Sequence, residues 1–133
     1  MAVNPKAITI EISPGEVVDR LTILRIKLAH MTDEAKLANV RLELEGLEAA
    51  HRENIADSPE IAALDADLEA INAKLWDIED EIRACERDGD FGPRFIELAR
   101  AVYFNNDERA RIKRQINELL GADIVEEKSY SPY

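Results

Sequence analysis

Apolar side chains recur every three or four residues over most of this chain, which is the spacing of one face of an α-helix. The longest run follows Ser58-Pro59, a pair that suits a helix cap and a first helical turn. An alternation of three and four continues without a break to Arg87, which predicts a long helix with a coiled-coil-like seam. The seam residues are Ile61, Leu64, Leu68, Ile71, Leu75, Ile78, Ile82 and Cys85.

Two helices are predicted before the long one. Ser13 can cap the first, and Glu16 stands where a capping box places its carboxylate. The apolar residues of this helix form a stripe wider than a simple seam, so we expect it to be buried on more than one side. Thr32 or Asp33 can cap the second helix, which we expect to end before Ser58.

The last third of the chain is predicted to form two shorter helices. Phe95 to Val102 indicate the first, after the breaks at Gly89 and Gly92-Pro93. Asn105 or Asn106 is expected to cap the second, with Gly121 as its stop.

Short apolar stretches stand at both ends of the chain. Ile8, Ile10 and Ile12 alternate with other residues as in a half-buried strand, and the stretch from Ile124 to Lys128 is its expected partner. The predicted fold is all-α: an antiparallel helical bundle with a long central helix, one domain over residues 1–133 and a minor two-stranded element joining the termini.

The long helix also has a second face, which predicts a homo-oligomer or another protein partner. Small residues accompany Trp76 there and permit close helix approach, while the long helix outruns the first helix. The small residues are Ala62, Ala63, Ala66, Ala70, Ala73 and Ala84.

Composition narrows the class of function. A formal net charge of -11 argues against nucleic-acid binding, which needs a clustered cationic surface. Nowhere do about 18 apolar residues follow one another, so we expect no membrane insertion, and Met1 to Ile12 lacks the pattern of an export signal. The single cysteine, Cys85, allows no internal disulfide, and a cytoplasmic location is the natural expectation.

Acidic pairs raise the alternative of a magnesium site. Glu16 and Asp19 lie on the first helix, and Asp77, Asp80 and Glu81 lie on the long one, at the spacing with which facing helices can hold a hard cation over a phosphate. The heptad phase points these carboxylates outward, so we expect solvated faces and no metal.

Charges beside the seams favour pairing between helices. Asp65, Asn72, Glu79 and Glu86 form one edge of the long helix, and Arg20, Arg25 and Lys27 form an edge of the first. Glu79 can also pair with Arg83 along its own helix.

Cations cluster between Arg94 and Arg114 although the chain is acidic. Guanidinium groups near a helix N-terminus could hold a phosphate or a sugar nucleotide, and the alternative is pairing with acids of the second and third helices. The candidate ligand-binding residues are Arg109, Lys113, Arg114, Asn106, Glu79 and Trp76, and Asp77 is an alternative candidate to Glu79.

Catalysis has no positive support in the sequence. His30 and His51 lie on different helices without further ligands at zinc spacing, and Cys85 on the seam is expected to be a packed thiol. No nucleophile elbow, phosphate-binding glycine loop or H-E-x-x-H motif occurs, and no cofactor is expected.

Four segments nevertheless resemble a known family. They are Ser-Pro-Gly-Glu at 13–16 with Asp-Arg-Leu-Thr-Ile-Leu at 19–24, Leu-Trp-Asp-Ile-Glu-Asp at 75–80, Asn-Asp-Glu-Arg-Ala at 106–110, and Glu-Glu-Lys-Ser-Tyr at 126–130. Together they resemble short bacterial proteins classed as a domain of unknown function. The resemblance implies a link to bacterial cell-surface glycan genes and no defined activity.

The leading hypothesis is therefore a non-enzymatic interaction or scaffold module that self-associates or docks through helical faces. The alternative is a phosphate or sugar-nucleotide binding protein, or a hydrolase, linked to cell-surface glycan metabolism. The two differ in whether the basic side chains converge on an open cleft or are paired with carboxylates.

Overall fold

Four helices account for most of the computed structural model, which describes residues 6–133. They are α1 (Pro14–His30), α2 (Glu34–Asn54), α3 (Pro59–Asp88) and α4 (Pro93–Leu119). The all-α prediction is confirmed. No helix in the described part of the chain is long and apolar enough to cross a membrane.

Side chains close the first turns of three helices, as their sequences predict. Ser13, Asp33 and Ser58 each accept a backbone N–H three residues ahead, at distances of 3.2, 3.1 and 3.1 Å. Gly89 ends α3 in the left-handed conformation, with φ of 67°, which costs glycine little. The boundaries of the first three helices therefore follow from local capping chemistry.

The first helix is the centre of the bundle, because it packs against all three of the others. Its residues Val18 and Leu21 join Leu68 of α3 and Ile116 of α4 in the main core, and all four are essentially inaccessible to solvent. Gly15 brings the start of α1 close to α4: a Cβ on this residue would stand 2.5 Å from the Lys113 carbonyl oxygen. Its backbone N–H donates to Asn117 Oδ1 at 2.7 Å.

The hairpin of α3 and α4 extends beyond α1. At 1.5 Å per residue α3 is about 45 Å long and α1 about 26 Å, and His30, the last residue of α1, lies against Trp76, in the middle of α3. Beyond that point the two helices pack on each other around a second, smaller core of Ile78, Cys85 and Leu98. We call residues 77–104 the hairpin tip.

The prediction of two short helices after Gly92 is wrong, because α4 runs unbroken from Pro93 to Leu119. Asn105 and Asn106 do not cap a helix; their amide groups donate to the carbonyls of Ala101 and Val102, at 2.8 and 3.0 Å. An asparagine that bonds its own preceding turn can stay inside a helix. Packing on α1 and α3 favours continuity over the local preference of these residues.

The predicted two-stranded element is also absent from residues 6–133. Ile8 and Ile10 are exposed, and no strand forms between Ile8 and Ile12. The segment after Gly121 runs back over α4 and is held by side chains rather than by a backbone ladder. We call residues 122–133 the C-terminal segment.

Candidate functional site

Asp19 is the centre of a buried polar network, although it was expected to face solvent. Its side chain has no exposed area, and it lies where α1 meets α3 and α4. Arg109 of α4 binds both carboxylate oxygens, with Nε 2.9 Å from Oδ1 and Nη2 on Oδ2. This two-pronged geometry is the strongest form of an arginine–carboxylate pair.

Asn72 and Thr22 complete the coordination of Asp19. The Asn72 amide Nδ2 donates to Asp19 Oδ1 and to Thr22 Oγ1, each at 2.8 Å, while Thr22 Oγ1 donates to the Asp19 carbonyl at 2.7 Å. An ionised carboxylate only accepts hydrogen bonds, so the nitrogen of the Asn72 amide must face Asp19. The network therefore joins three helices through fully specified donors and acceptors.

Lys113 forms the second part of this network, one turn along α4 from Arg109. Its Nζ lies 2.7 Å from Glu16 Oε2, 2.7 Å from Glu126 Oε2 and 3.9 Å from Asp19 Oδ2. Burial alone would lower the pKa of Lys113, but the hydrogen bonds to Glu126 and Glu16 raise the pKa above its usual value. Lys113 is thus a charged lysine held by acids from α1 and from the C-terminal segment.

The pairing also shifts the pKa values of Glu16 and Arg109. Burial would raise the pKa of Glu16, yet hydrogen bonds from Arg20 and Lys113 lower that pKa below its usual value. The hydrogen bonds to Asp19 raise the pKa of Arg109 despite its partial burial. The charged forms of both residues are therefore stabilised by the fold.

The C-terminal segment lies on the basic side of α4. Glu127 reaches Arg114 at 3.2 Å, and Lys128 and the Tyr133 hydroxyl both donate to Asp107. The Tyr133 ring also packs against Phe104, with centroids 4.9 Å apart. Charges and aromatic rings thus connect this segment to the outer face of α4.

A cleft of about 270 Å³ opens between α1, α3 and α4 beside the network. Trp76, Glu79, Asn106 and Arg109, four of the candidate ligand-binding residues, line it. The remaining walls are apolar apart from Asn72. The apolar lining consists of Ile23, Ile26, Leu75 and Val102.

The other two candidates, Lys113 and Arg114, lie apart from this cleft. They line the groove between α4 and the C-terminal segment, and Arg114 pairs there with Glu118 and Glu127, each at 3.2 Å. Asp77 is exposed and lies outside the cleft lining. Arg109 and Asn106 line this groove as well, so the three candidate cations share one opening, in which each is paired with a carboxylate.

The expected partners of the basic residues are also corrected. Arg109, Arg111, Lys113 and Arg114 pair with acids of α1, of α4 itself and of the C-terminal segment. Arg94, at the start of the cluster, pairs with Glu81 of α3. Within residues 6–133 no group of three potential ligands among His, Cys, Asp and Glu is arranged to hold a metal ion. Glu16 pairs with Lys113 and Arg20, and Asp77 and Asp80 are exposed.

Two predictions of edge pairing are confirmed by distances. Arg25 Nη1 lies 2.9 Å from Asp65 Oδ1 across α1 and α3, and Arg83 Nε lies 2.7 Å from Glu79 Oε1 along α3. Asn72 was grouped with these edge residues, but it is 5% exposed and belongs to the buried network. Cys85 is buried in the hairpin core, as expected of a packed thiol.

Comparison with known proteins gives a family and no activity. The profile of a family of unknown function, DUF6165, matches residues 8–133. The chain belongs to this family. No curated protein and no solved structure matches it.

Three of the four segments that carried the resemblance to an uncharacterised family meet in the polar network. Glu16 and Asp19 come from the first, Arg109 from the third and Glu126 from the fourth. Sequence reasoning missed Asp19 and Asn72 as site residues. One feature of the sequence could have identified Asp19: it interrupts the wide apolar stripe of α1. A carboxylate buried at such a position needs a hydrogen-bonding or charged partner.

The pairing of Glu16 predicts a pH dependence in the acid range. Because the folded pKa of Glu16 is below its unfolded value, its contribution to stability is present above about pH 4.3 and is lost as the pH falls through the lower folded value. We expect Glu16→Gln to be less stable than the wild type near neutrality and the difference to shrink toward low pH. Urea denaturation across this range measures it, and two parallel pH profiles would contradict the prediction.

Proposed function

We propose that this protein is a non-enzymatic interaction module whose copies associate through the hairpin tip of α3 and α4. The observation that carries the proposal is the exposure of large apolar side chains on this part of the hairpin. Phe91 and Ile96 are each 55% exposed and Phe104 is 44% exposed. At the hairpin tip only α3 and α4 pack on each other, so each helix buries one face. The apolar side chains on the other faces need a partner to be covered.

The outer face of α4 offers a groove for a facing helix. Ile96, Ala101 and Phe104 line it together with Pro93, Glu97 and Arg100. The guanidinium of Arg100 stands 5.8 Å from the centroid of the Phe104 ring and has no carboxylate partner within residues 6–133. The groove is thus apolar with one cation available at its edge.

A second copy of the chain would complement this groove in charge. Asp77 and Asp80 on α3 are exposed, and no ion pair within the described residues includes them. In a two-fold arrangement, acids on α3 of each copy would face Arg100 of the other, and two hairpins would complete a four-helix bundle. The exposed alanines Ala62, Ala66 and Ala70 lie in the other half of α3, outside the hairpin tip.

The pairing of the α4 cations weighs against the alternative of a phosphate-binding protein, although these cations line one groove. That function needs cations free to meet an anion, whereas Arg109, Lys113 and Arg114 each have carboxylate partners. An interaction module is therefore the function that we propose.

Sedimentation equilibrium tests the proposal. We expect the wild type to be a dimer at high micromolar concentration, and Phe104→Glu to be a folded monomer, because two carboxylates would be buried at the two-fold interface. Leu42→Glu is the matched control: Leu42 is 72% exposed on α2, away from the hairpin tip, so this variant should stay dimeric. A monomeric wild type, or equal effects of both substitutions, would overturn self-association.

A further inference from the structure

The cleft beside the polar network contains an acceptor that the protein leaves unused. Asn72 is almost wholly buried, and its side-chain nitrogen donates to Asp19 and to Thr22. Within residues 6–133 its Oδ1 has no hydrogen-bond partner, and no fully buried side-chain oxygen there lacks one. The Oδ1 atom therefore reaches solvent, and the cleft that Asn72 lines is where it does so.

Two residues of α4 add hydrogen-bonding groups near this acceptor. Arg109 uses Nε and Nη2 for Asp19, so the N–H groups of Nη1 are free to donate. Asn106 uses its nitrogen for the Val102 carbonyl, which leaves its own carbonyl oxygen as an acceptor. The polar end of the cleft thus offers two carbonyl acceptors beside the N–H groups of Arg109 Nη1.

The remainder of the cleft suits a flat, apolar surface. Trp76 is half-buried, and His30 packs against it with ring centroids 5.1 Å apart. Ile23, Leu75 and Val102 supply aliphatic walls. A sugar ring carries hydroxyl groups around its whole rim and would leave several of them unpaired against these walls, which is costly. A planar heterocycle has apolar faces and a polar edge.

The charges around the cleft favour an uncharged ligand. The charge of Arg109 is balanced by Asp19, and Glu79 at the rim pairs with Arg83. No lining residue is a cation without a carboxylate partner. The volume of about 270 Å³ is slightly below the usual range for drug-sized ligands, so it admits one small ring system.

We propose that this cleft binds an uncharged planar heterocycle of the nucleobase class, stacked on Trp76 with its polar edge on Asn72, Asn106 and Arg109. Two carbonyl acceptors beside a guanidinium donor suit a ligand edge on which two N–H donors stand next to a carbonyl acceptor, which is the Watson–Crick edge of guanine. The site is separate from the groove on the outer face of α4, so dimerisation and ligand binding are tested independently.

Fluorescence titration tests the proposal directly, because Trp76 is the only tryptophan of the chain. We expect saturable quenching by guanosine, about fivefold weaker binding of inosine because one neutral hydrogen bond is lost, and weaker binding again of adenosine. Equilibrium dialysis of the same nucleosides excludes optical artefacts. A methyl pyranoside should give no saturable change, and a 5′-phosphate on guanosine should not tighten binding.

Neighbouring asparagines provide a matched pair of variants. Asn105 and Asn106 both bond the carbonyl of the preceding turn, but only Asn106 lines the cleft. Asn106→Leu should weaken guanosine binding and reduce the difference between guanosine and inosine, while Asn105→Leu should bind as the wild type does. Equal losses in the two variants, tighter binding of the phosphate, or no saturable nucleoside signal would overturn the proposal.

Discussion

Replacing Asp19 by alanine is expected to lower the free energy of unfolding by about 3 kcal/mol, toward the lower end of the range for breaking a buried ion pair. Asp19 is fully buried, and its removal leaves the Arg109 guanidinium and the Asn72 amide without their acceptor. Arg109 can still reach water, because 30% of its side chain is exposed. This access is why the loss should not reach the top of that range.

Asp77→Ala is the control for this experiment. Asp77 is also a helical aspartate, but it is exposed and has no ion pair within residues 6–133, so its removal should change stability by less than about 1 kcal/mol. Urea denaturation of the two variants gives both values. Equally small losses of stability in the two variants would show that Asp19 contributes no more than a surface carboxylate. That result would contradict a stabilising role for the buried network.

Asp19 was misplaced because the phase of a helix locates one buried face, while α1 has three helical neighbours. A heptad reading with Val17 and Leu21 inward turns Asp19 outward. In the bundle α3 and α4 cover that outward side, and they bring Asn72 and Arg109 to the carboxylate. Asn72 and Arg109 are 53 and 90 residues from Asp19 in the chain. The periodicity of one helix cannot predict contacts between residues so far apart.

Predictions that depended on a single helix were more successful. The apolar seam of α3 and the ion pair of Glu79 with Arg83 can be predicted from the helical spacing of α3 alone, and the structure confirms both. Trp76 and Glu79 share a helical face, and Asn106 and Arg109 share another, so each pair could be grouped from spacing. Their meeting in one cleft required the crossing of α3 with α4, which no local pattern contains.

The C-terminal segment shows the opposite case. The stretch from Ile124 to Lys128 was expected to pair with a strand at Ile8 to Ile12, because an isolated strand leaves its backbone groups without partners. In the structure Glu126 and Glu127 instead bind Lys113 and Arg114 of α4. Ion pairs with α4 thus hold a segment that was expected to pair as a strand.

Leu68→Ala is the second substitution with a large expected effect, a loss of about 2 to 5 kcal/mol in the free energy of unfolding. Leu68 is fully buried in the main core, between side chains of α1 and α4. Removing its methyl groups loses burial and leaves a cavity that three packed helices cannot close. We therefore expect a value in the upper half of this range, measured by chemical denaturation.

Ile78→Ala on the same seam should cost less, near about 2 kcal/mol, the lower limit for such a substitution. Ile78 lies in the smaller core of the hairpin tip, where two helices alone can move together to reduce the cavity. Asp80→Ala, exposed two residues later, should change stability by less than about 1 kcal/mol. The expected order of Leu68, Ile78 and Asp80 depends both on the phase of α3 and on the number of helices around each residue. A loss at Ile78 as large as that at Leu68 would show that the tip is covered on further sides, as it would be in a dimer joined through this hairpin.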